Sequence, residues 1–213
     1  DANGDAFEAN PREVLKRVLD RYNARGLKPV VAVELEFYLF DRLPDAQGRP
    51  QPPINAHTGA RNMSTQVYYI EDLNDFHDFI DAVAGACKAQ GIPADTAVAE
   101  YAPGQFEINL KHRDDALLAC DDAIYLKRAI KAIAQKQDLQ ASFMAKPLSD
   151  QAGSGLHIHA SVLDANGTAA LRRTLEGLES SRSIARMSAA ERMNLGNRYG
   201  ERAVSAHIES GLL

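Results

Sequence analysis

The chain has 213 residues, 45% hydrophobic and 25% charged, enough to bury a sizeable core in one large domain with an appended tail. A net charge of −5, with Lys and Arg scattered along the chain, argues against a nucleic-acid surface but leaves room for bound phosphates. No apolar run of about 18 residues is present to cross a membrane, and the N-terminal DANGDAFEANPR lacks the basic and apolar regions of a signal peptide.

Asn10, Pro11 and Glu13 form a helix start: a capping oxygen, a proline whose missing N–H costs nothing at the first position, and an acid near the positive end. Val14, Leu15, Val18, Leu19 and Tyr22 follow at helical spacing, and Gly26 stops the helix. The run from Pro29 to Asp41, PVVAVELEFYLFD, then reads as a strand. Val31, Val33, Leu35, Phe37 and Leu39 share one face; Ala32, Glu34, Glu36, Tyr38 and Phe40 share the other. Two carboxylates side by side on a dry face would repel and be poorly solvated unless a cation sat between them. A strand with one face in water is the simpler alternative.

From Arg42 to Arg61 the composition turns to Pro, Gly, Asp and Asn, a long surface loop. Leu73, Phe76, Phe79, Ile80, Val83, Ala84 and Cys87 predict one amphipathic helix with a buried stripe, closed by Gly91 and Pro93. Thr96 to His112 reads as strand, tight turn at Ala102-Pro103-Gly104, and strand. Gln105, Glu107 and Asn109 share the second arm's polar face, and Glu100 ends the first arm. A third helix is predicted from about Asp114 to Asp138, with Ala119, Ala123, Leu126, Ile130 and Ile133 inward and Lys127, Arg128 and Lys131 solvated. Cys87 and Cys120 fall on apolar stripes without C-x-x-C spacing. They read as buried thiols, which suits a reducing cytoplasm.

A short apolar run, Ser142 to Ala145, ends in Lys146-Pro147. Gly153 to Val162 is then a glycine loop followed by a strand, with His157, His159 and Ser161 on one face. An H-x-H on a polar strand face suits metal ligation, although a lone histidine on a strand is commonly a satisfied core or surface residue. Asp164 to Gly167 reads as a turn. Beyond it, Leu171, Leu175 and Leu178 suggest a helix, and Ser188-Ala189-Ala190-Glu191 has the form of a capping box that would start another. Arg182, Arg186, Arg192, Arg198 and Arg202 read as solvated.

Four acids and two histidines on polar strand faces or beside turns form a candidate inner-sphere set. Oxygen-rich ligation with an occasional imidazole favours Mg²⁺ or Mn²⁺ over zinc, and the charge count suits two ions. Such centres steady a nucleotide triphosphate during phosphoryl transfer. No G-x-x-x-x-G-K-[ST] loop is present, so any ATP is held in another way.

Glu34-Leu35-Glu36, the segment EYAPGQFE from Glu100 to Glu107, Lys146-Pro147 and GSGLHIHAS from Gly153 to Ser161 resemble, in order and spacing, the catalytic domain of the glutamine synthetase family. The resemblance covers Pro11 to about Leu178. It implies an α+β fold, an antiparallel β-sheet funnel backed by α-helices, over residues 1–178; residues 179–213 read as a C-terminal helical tail of unclear origin, outside the resemblance. It implies metal sites at Glu36, Glu100 and Glu107 for one ion and Glu34 and His157 for another. His159 and Ser161 would lie beside ATP, and Gly153 would help cradle glutamate. The implied reaction is phosphoryl transfer from ATP to the γ-carboxylate of glutamate, then attack of ammonia or an amine on the γ-glutamyl phosphate. No side chain is assigned as a general acid, base or nucleophile. The parent protein would be a ring-shaped homo-oligomer, a dodecamer, in the cytoplasm.

Ala152, where ammonia-using members often carry Asn, together with DQAGSG, looks more like the γ-glutamylpolyamine synthetase branch. The family's small N-terminal domain, its downstream Asn/Tyr/Arg segment, its substrate-binding arginines and its last metal-binding glutamate have no match in these 213 residues. With no initiator Met, the expectation is a chain that belongs to something longer and lacks turnover by itself. A catalytically inactive fragment with an assembly or regulatory role is the alternative. An unrelated H-x-H metal hydrolase fits less well, because such enzymes place that motif on an early strand.

Overall fold

The computed structural model describes residues 6–65 and 67–170. The helices expected through Leu171, Leu175 and Leu178 and after Ser188, the five downstream arginines and the tail at 179–213 lie outside them. The described residues divide into two compact units, one holding those up to Val30 and from Ala160, the other Val31–His159.

In the first unit, helix α1 (Pro11–Asn23) begins as expected: the Asn10 side chain accepts a bond from the Arg12 amide at 3.0 Å. Its apolar stripe includes Val14 and Val18, both exposed. Asp164 to Gly167 forms the expected turn, with the Gly167 amide donating to the Asp164 carbonyl at 2.9 Å.

The second unit holds β1 (Lys28–Asp41) from Val31 on, and its alternating pattern folds as the long strand expected. Helix α2 (Ile70–Asp75) and helix α3 (His77–Gln90) replace the single helix predicted there. The chain breaks at Phe76, where φ −113° and ψ 21° leave the helical region and turn the ring edge-on to Phe106. Phe79, Val83 and Cys87 of the expected stripe are buried, whereas Ala84 is exposed. Strands β2 (Ala94–Ala99) and β3 (Gln105–Leu110) follow, then α4 (Ala116–Lys136), capped by the Asp115 side chain, which accepts from the Leu118 amide at 3.0 Å. Strands β4 (Leu139–Ser142) and β5 (Leu156–Leu163) complete the set.

The sheet runs β2-β3-β1-β4, with β5 also paired to β1. Its β1–β3, β1–β4 and β2–β3 pairings are antiparallel, giving the helix-backed antiparallel sheet of the expected fold class as an open sheet. One face of β1 packs into the core. Phe37 is fully buried and meets Phe79, Phe106 and Phe143 at centroid separations of 6.3, 6.2 and 5.4 Å. Leu126, Ile130 and Ala134 of α4 are buried too.

Two expectations about side chains are corrected. Cys120 is exposed: on α4 it lies one residue from buried Ala119, and 100° of helical rotation takes it out of the core, so only Cys87 is a buried thiol. Lys127 and Lys131 are not simply solvated, since their ammonium groups lie 5.1 and 5.8 Å from the centroid of Phe143. No described helix is long and apolar enough to cross a membrane.

Candidate metal centre

The period of two along β1 sends Glu34 and Glu36 to the face opposite the Phe37 core. Antiparallel register then sets Glu36 opposite Glu107 and Glu34 opposite Asn109. The tight turn that joins β2 to β3 closes as expected: the Gln105 amide donates to the Ala102 carbonyl at 2.9 Å. The amide of Glu100, just past the end of β2, donates to the Gln105 carbonyl at 2.8 Å. Gly104 takes φ +74°, and a side chain there would stand 2.8 Å from the Leu39 carbonyl oxygen.

Strand β5 brings the histidines to the same acids. His157 Nδ1 lies 3.3 Å from Glu34 Oε2, 3.8 Å from Glu107 Oε2 and 4.0 Å from Glu36 Oε1. His159 Nε2 lies 2.8 Å from Glu34 Oε1, so the two imidazoles bracket one carboxylate, one on each oxygen. Side-chain exposure falls from 59% at His157 to 10% at Glu107, which puts the histidines at the mouth and the acids at the floor.

Donor atoms of Glu34, Glu107 and His157 all lie within 4.8 Å of one another. That is little more than twice the cation–oxygen distance of about 2.1 Å for Mg²⁺, so a small divalent ion fits among them. The electrostatics agree. Burial, and then the charges of Glu36 and Glu107, push the Glu100 carboxyl above its ordinary range. Glu107 is likewise raised, first by burial and then by Glu34. Asn109 Oδ1, opposite Glu34 in register, is buried with no partner among the described residues. Crowded, poorly solvated carboxylates and an orphaned acceptor are the surroundings that a hard cation relieves.

The glycine loop is anchored to the sheet at successive residues. Tyr38 Oη donates to the Ala152 carbonyl at 2.7 Å, Gln105 Nε2 to the Gly153 carbonyl at 3.0 Å, and the Glu36 amide to the Gly155 carbonyl at 3.2 Å. Burial, with Glu36 and Asp150 nearby, lifts the Tyr38 phenol to about 12, so it remains a donor. At Gly153 a Cβ would lie 2.8 Å from the Ala145 backbone carbonyl oxygen, and at Gly155 it would press on the site's own side chains, 2.8 Å from Glu36 Oε1.

The structure thus brings Glu34, Glu36, Glu100, Glu107 and His157 to one acidic face and sets Gly153 in the adjoining loop. His159, expected beside ATP, bonds Glu34 directly. Ser161 is exposed farther along β5. Gln105 and Tyr38 carry no charge, so the acids and histidines of the sequence do not single them out. Both alternate in phase with the acids, and that phase was the signal available.

Known proteins are similar to this chain in sequence and fold. The chain is 51% identical over 167 residues to gamma-glutamylputrescine synthetase PuuA of Escherichia coli K12, covering 78% of this chain and 35% of that protein. It is 34% identical to a glutamate–isopropylamine ligase of a Pseudomonas species, with the same coverage. It is also 34% identical to the glutamine synthetase of Halobacterium salinarum, again over 78% of this chain and 35% of the relative. The chain therefore spans about a third of the length of these relatives. Among solved structures, a GmaS/ADP complex superposes with a TM-score of 0.67 at 29% identity, over 78% of this chain and 36% of that one. The family description "glutamine synthetase, catalytic domain" matches residues 8–189, and the chain belongs to the glutamine synthetase family.

Proposed function

We propose that the protein carrying this chain is an ATP-dependent ligase that joins the γ-carboxylate of glutamate to an amine through a γ-glutamyl phosphate. The observation that carries this reading is the convergence of Glu34, Glu107 and His157 donors within 4.8 Å on a face where burial and neighbouring acids raise the Glu100 and Glu107 carboxyls. Glu36, Glu100 and Glu107 would hold one Mg²⁺ or Mn²⁺ ion, and Glu34 with His157 a second. Bound there, such ions neutralise phosphate charge and polarise the transferring group.

The chain's own residues supply position. His159 holds Oε1 of Glu34 and leaves Oε2 turned toward His157. We assign His159 and Ser161 to the ATP side and Gly153 to the glutamate side. The loop is tethered on either side of that glycine, as a cradle requires. A free carboxylate is a poor acyl donor, and phosphorylating it creates the leaving group that an amine displaces.

For the amine, a polyamine is favoured over ammonia. Ala152 precedes the loop, and the relative at 51% identity is named for glutamylputrescine. This reading also carries a cytoplasmic, ring-forming homo-oligomer whose neighbouring subunits complete each site. The test is ADP release by the full-length protein with glutamate and either putrescine or ammonia. Release that needs glutamate and prefers putrescine supports the proposal. Nucleotide-binding without release under any amine would favour an inactive assembly or regulatory role.

A further inference from the structure

We propose that Gln105 is a positioning residue that couples the cation centre to the glycine loop, so that occupying one rigidifies the other. The proposal rests on the ligase reading of the centre. Gln105 is 2% exposed, and its carboxamide is fully engaged. Nε2 donates to Glu36 Oε2 at 3.0 Å and to the Gly153 carbonyl at 3.0 Å, while Oε1 accepts from the Ala102 amide at 3.2 Å.

These partners fix the orientation of the amide. A carboxylate and a carbonyl need donors and a backbone N–H needs an acceptor, so a flipped group would put an oxygen against two oxygens. Among side chains of this length, only glutamine has two donors on one nitrogen and an acceptor beside it. Glutamate, lysine and methionine each fail at least one of the three.

The consequence is mechanical. The hydrogen bond orients Glu36, whose other oxygen, Oε1, lies 4.0 Å from His157 Nδ1. The same nitrogen holds the loop at Gly153, and the Glu36 amide holds it again at Gly155. A carboxylate drawn toward a cation therefore pulls on one nitrogen that also carries the loop. Gln105 itself stands behind Glu36 and is offered no role as a ligand. Outer partners of this kind set the orientation of metal-binding carboxylates.

The experiment compares the full chain with Gln105→Leu, Gln105→Asn and Tyr38→Phe. It reads Mn²⁺ affinity by electron paramagnetic resonance and amide hydrogen exchange at Ser154, whose N–H donates to the Ala145 carbonyl. In the native chain, saturating Mn²⁺ should slow Ser154 exchange. Both Gln105 variants should bind Mn²⁺ about 10- to 100-fold more weakly, with faster Ser154 exchange that no longer responds to Mn²⁺ at a concentration saturating the variant. Gln105→Asn keeps the polarity and is one methylene too short, so it guards against a Leu variant that fails to fold. Tyr38→Phe loosens the loop at Ala152 without touching Glu36, and its exchange should still slow on Mn²⁺ addition.

Mn²⁺-induced protection that survives in the Gln105 variants overturns the coupling. So does native Mn²⁺ binding without protection. Absence of Mn²⁺ binding in the native chain overturns the cation reading and the coupling with it. The metal-free exchange rates then show separately whether Gln105 holds the loop.

Discussion

Glu36 and Glu107 face each other across the antiparallel pair β1 and β3, as direct register partners. Like charges so placed destabilise a sheet, by up to about 1 kcal/mol for an exposed pair. Here burial raises the cost, and Glu34 adds a third charge to Glu107. Glu36→Gln removes one charge and keeps an acceptor for Gln105. The cation-free chain should hold its stability or gain up to about 1 kcal/mol, read as the urea midpoint, while the stabilisation produced by added Mn²⁺ shrinks. A clear loss of cation-free stability would show that the acids are compensated within the protein.

The raised carboxyls of Glu100 and Glu107 fix the sign of a pH effect. With folded values above unfolded ones, the native state binds more protons. Its stability contribution is complete below the ordinary carboxylate range and is lost as pH rises through the raised values. Cation-free melting should therefore fall from pH 4 towards pH 7 more steeply than in the Glu100→Gln, Glu107→Gln double variant. Saturating Mn²⁺, which selects the ionised acids, should reverse the trend. Identical pH slopes in the two proteins would count against buried, mutually repelling acids.

Gly155→Ala introduces a Cβ 2.8 Å from Glu36 Oε1 and 3.2 Å from His157 Cε1. Both are side-chain atoms that can move, so folding should survive with a loss under about 1.5 kcal/mol, while Mn²⁺ affinity falls at least tenfold. Gly104→Ala meets the Leu39 backbone at 2.8 Å with φ at +74°. It should cost more stability, about 2 kcal/mol or above. Parallel urea titrations and Mn²⁺ titrations separate the two. Equal losses of stability would contradict the contrast between a site glycine and a turn glycine.

Tyr38→Phe deletes the donor to the Ala152 carbonyl and leaves the stacking of ring 38 on Phe40 in place. The expected loss is about 1–3 kcal/mol, the cost of stranding a part-buried acceptor. An unchanged urea midpoint would mean that the loop is held without this bond.

Much of the fold is legible because it rests on local signals. The alternation of β1 and β3 put the acids on one face, Asn10 and Pro11 opened α1, and Gly91 closed α3. What could not be read depends on packing between distant segments. The break at Phe76 follows from its ring turning to Phe106, and the lysine contacts with Phe143 follow from α4 crossing β4. His157 and His159 are equivalent in the alternation of β5; only the folded pairing shows that His159 meets Glu34 alone while His157 also reaches Glu36 and Glu107. Gln105 is not legible in the sequence because a neutral amide acquires meaning only when its three partners, 3 to 69 residues away, are known.

Whether this acidic face is a divalent-cation centre is decided by a Mn²⁺ titration followed by electron paramagnetic resonance, on the native chain and on Glu107→Gln. Glu107 is the least exposed member of the triad whose donors lie within 4.8 Å. The expected result is saturable Mn²⁺ binding that Mg²⁺ displaces and that Glu107→Gln weakens at least tenfold, with the variant still folded. Native and variant curves that coincide, or a native chain that leaves Mn²⁺ free, would contradict it.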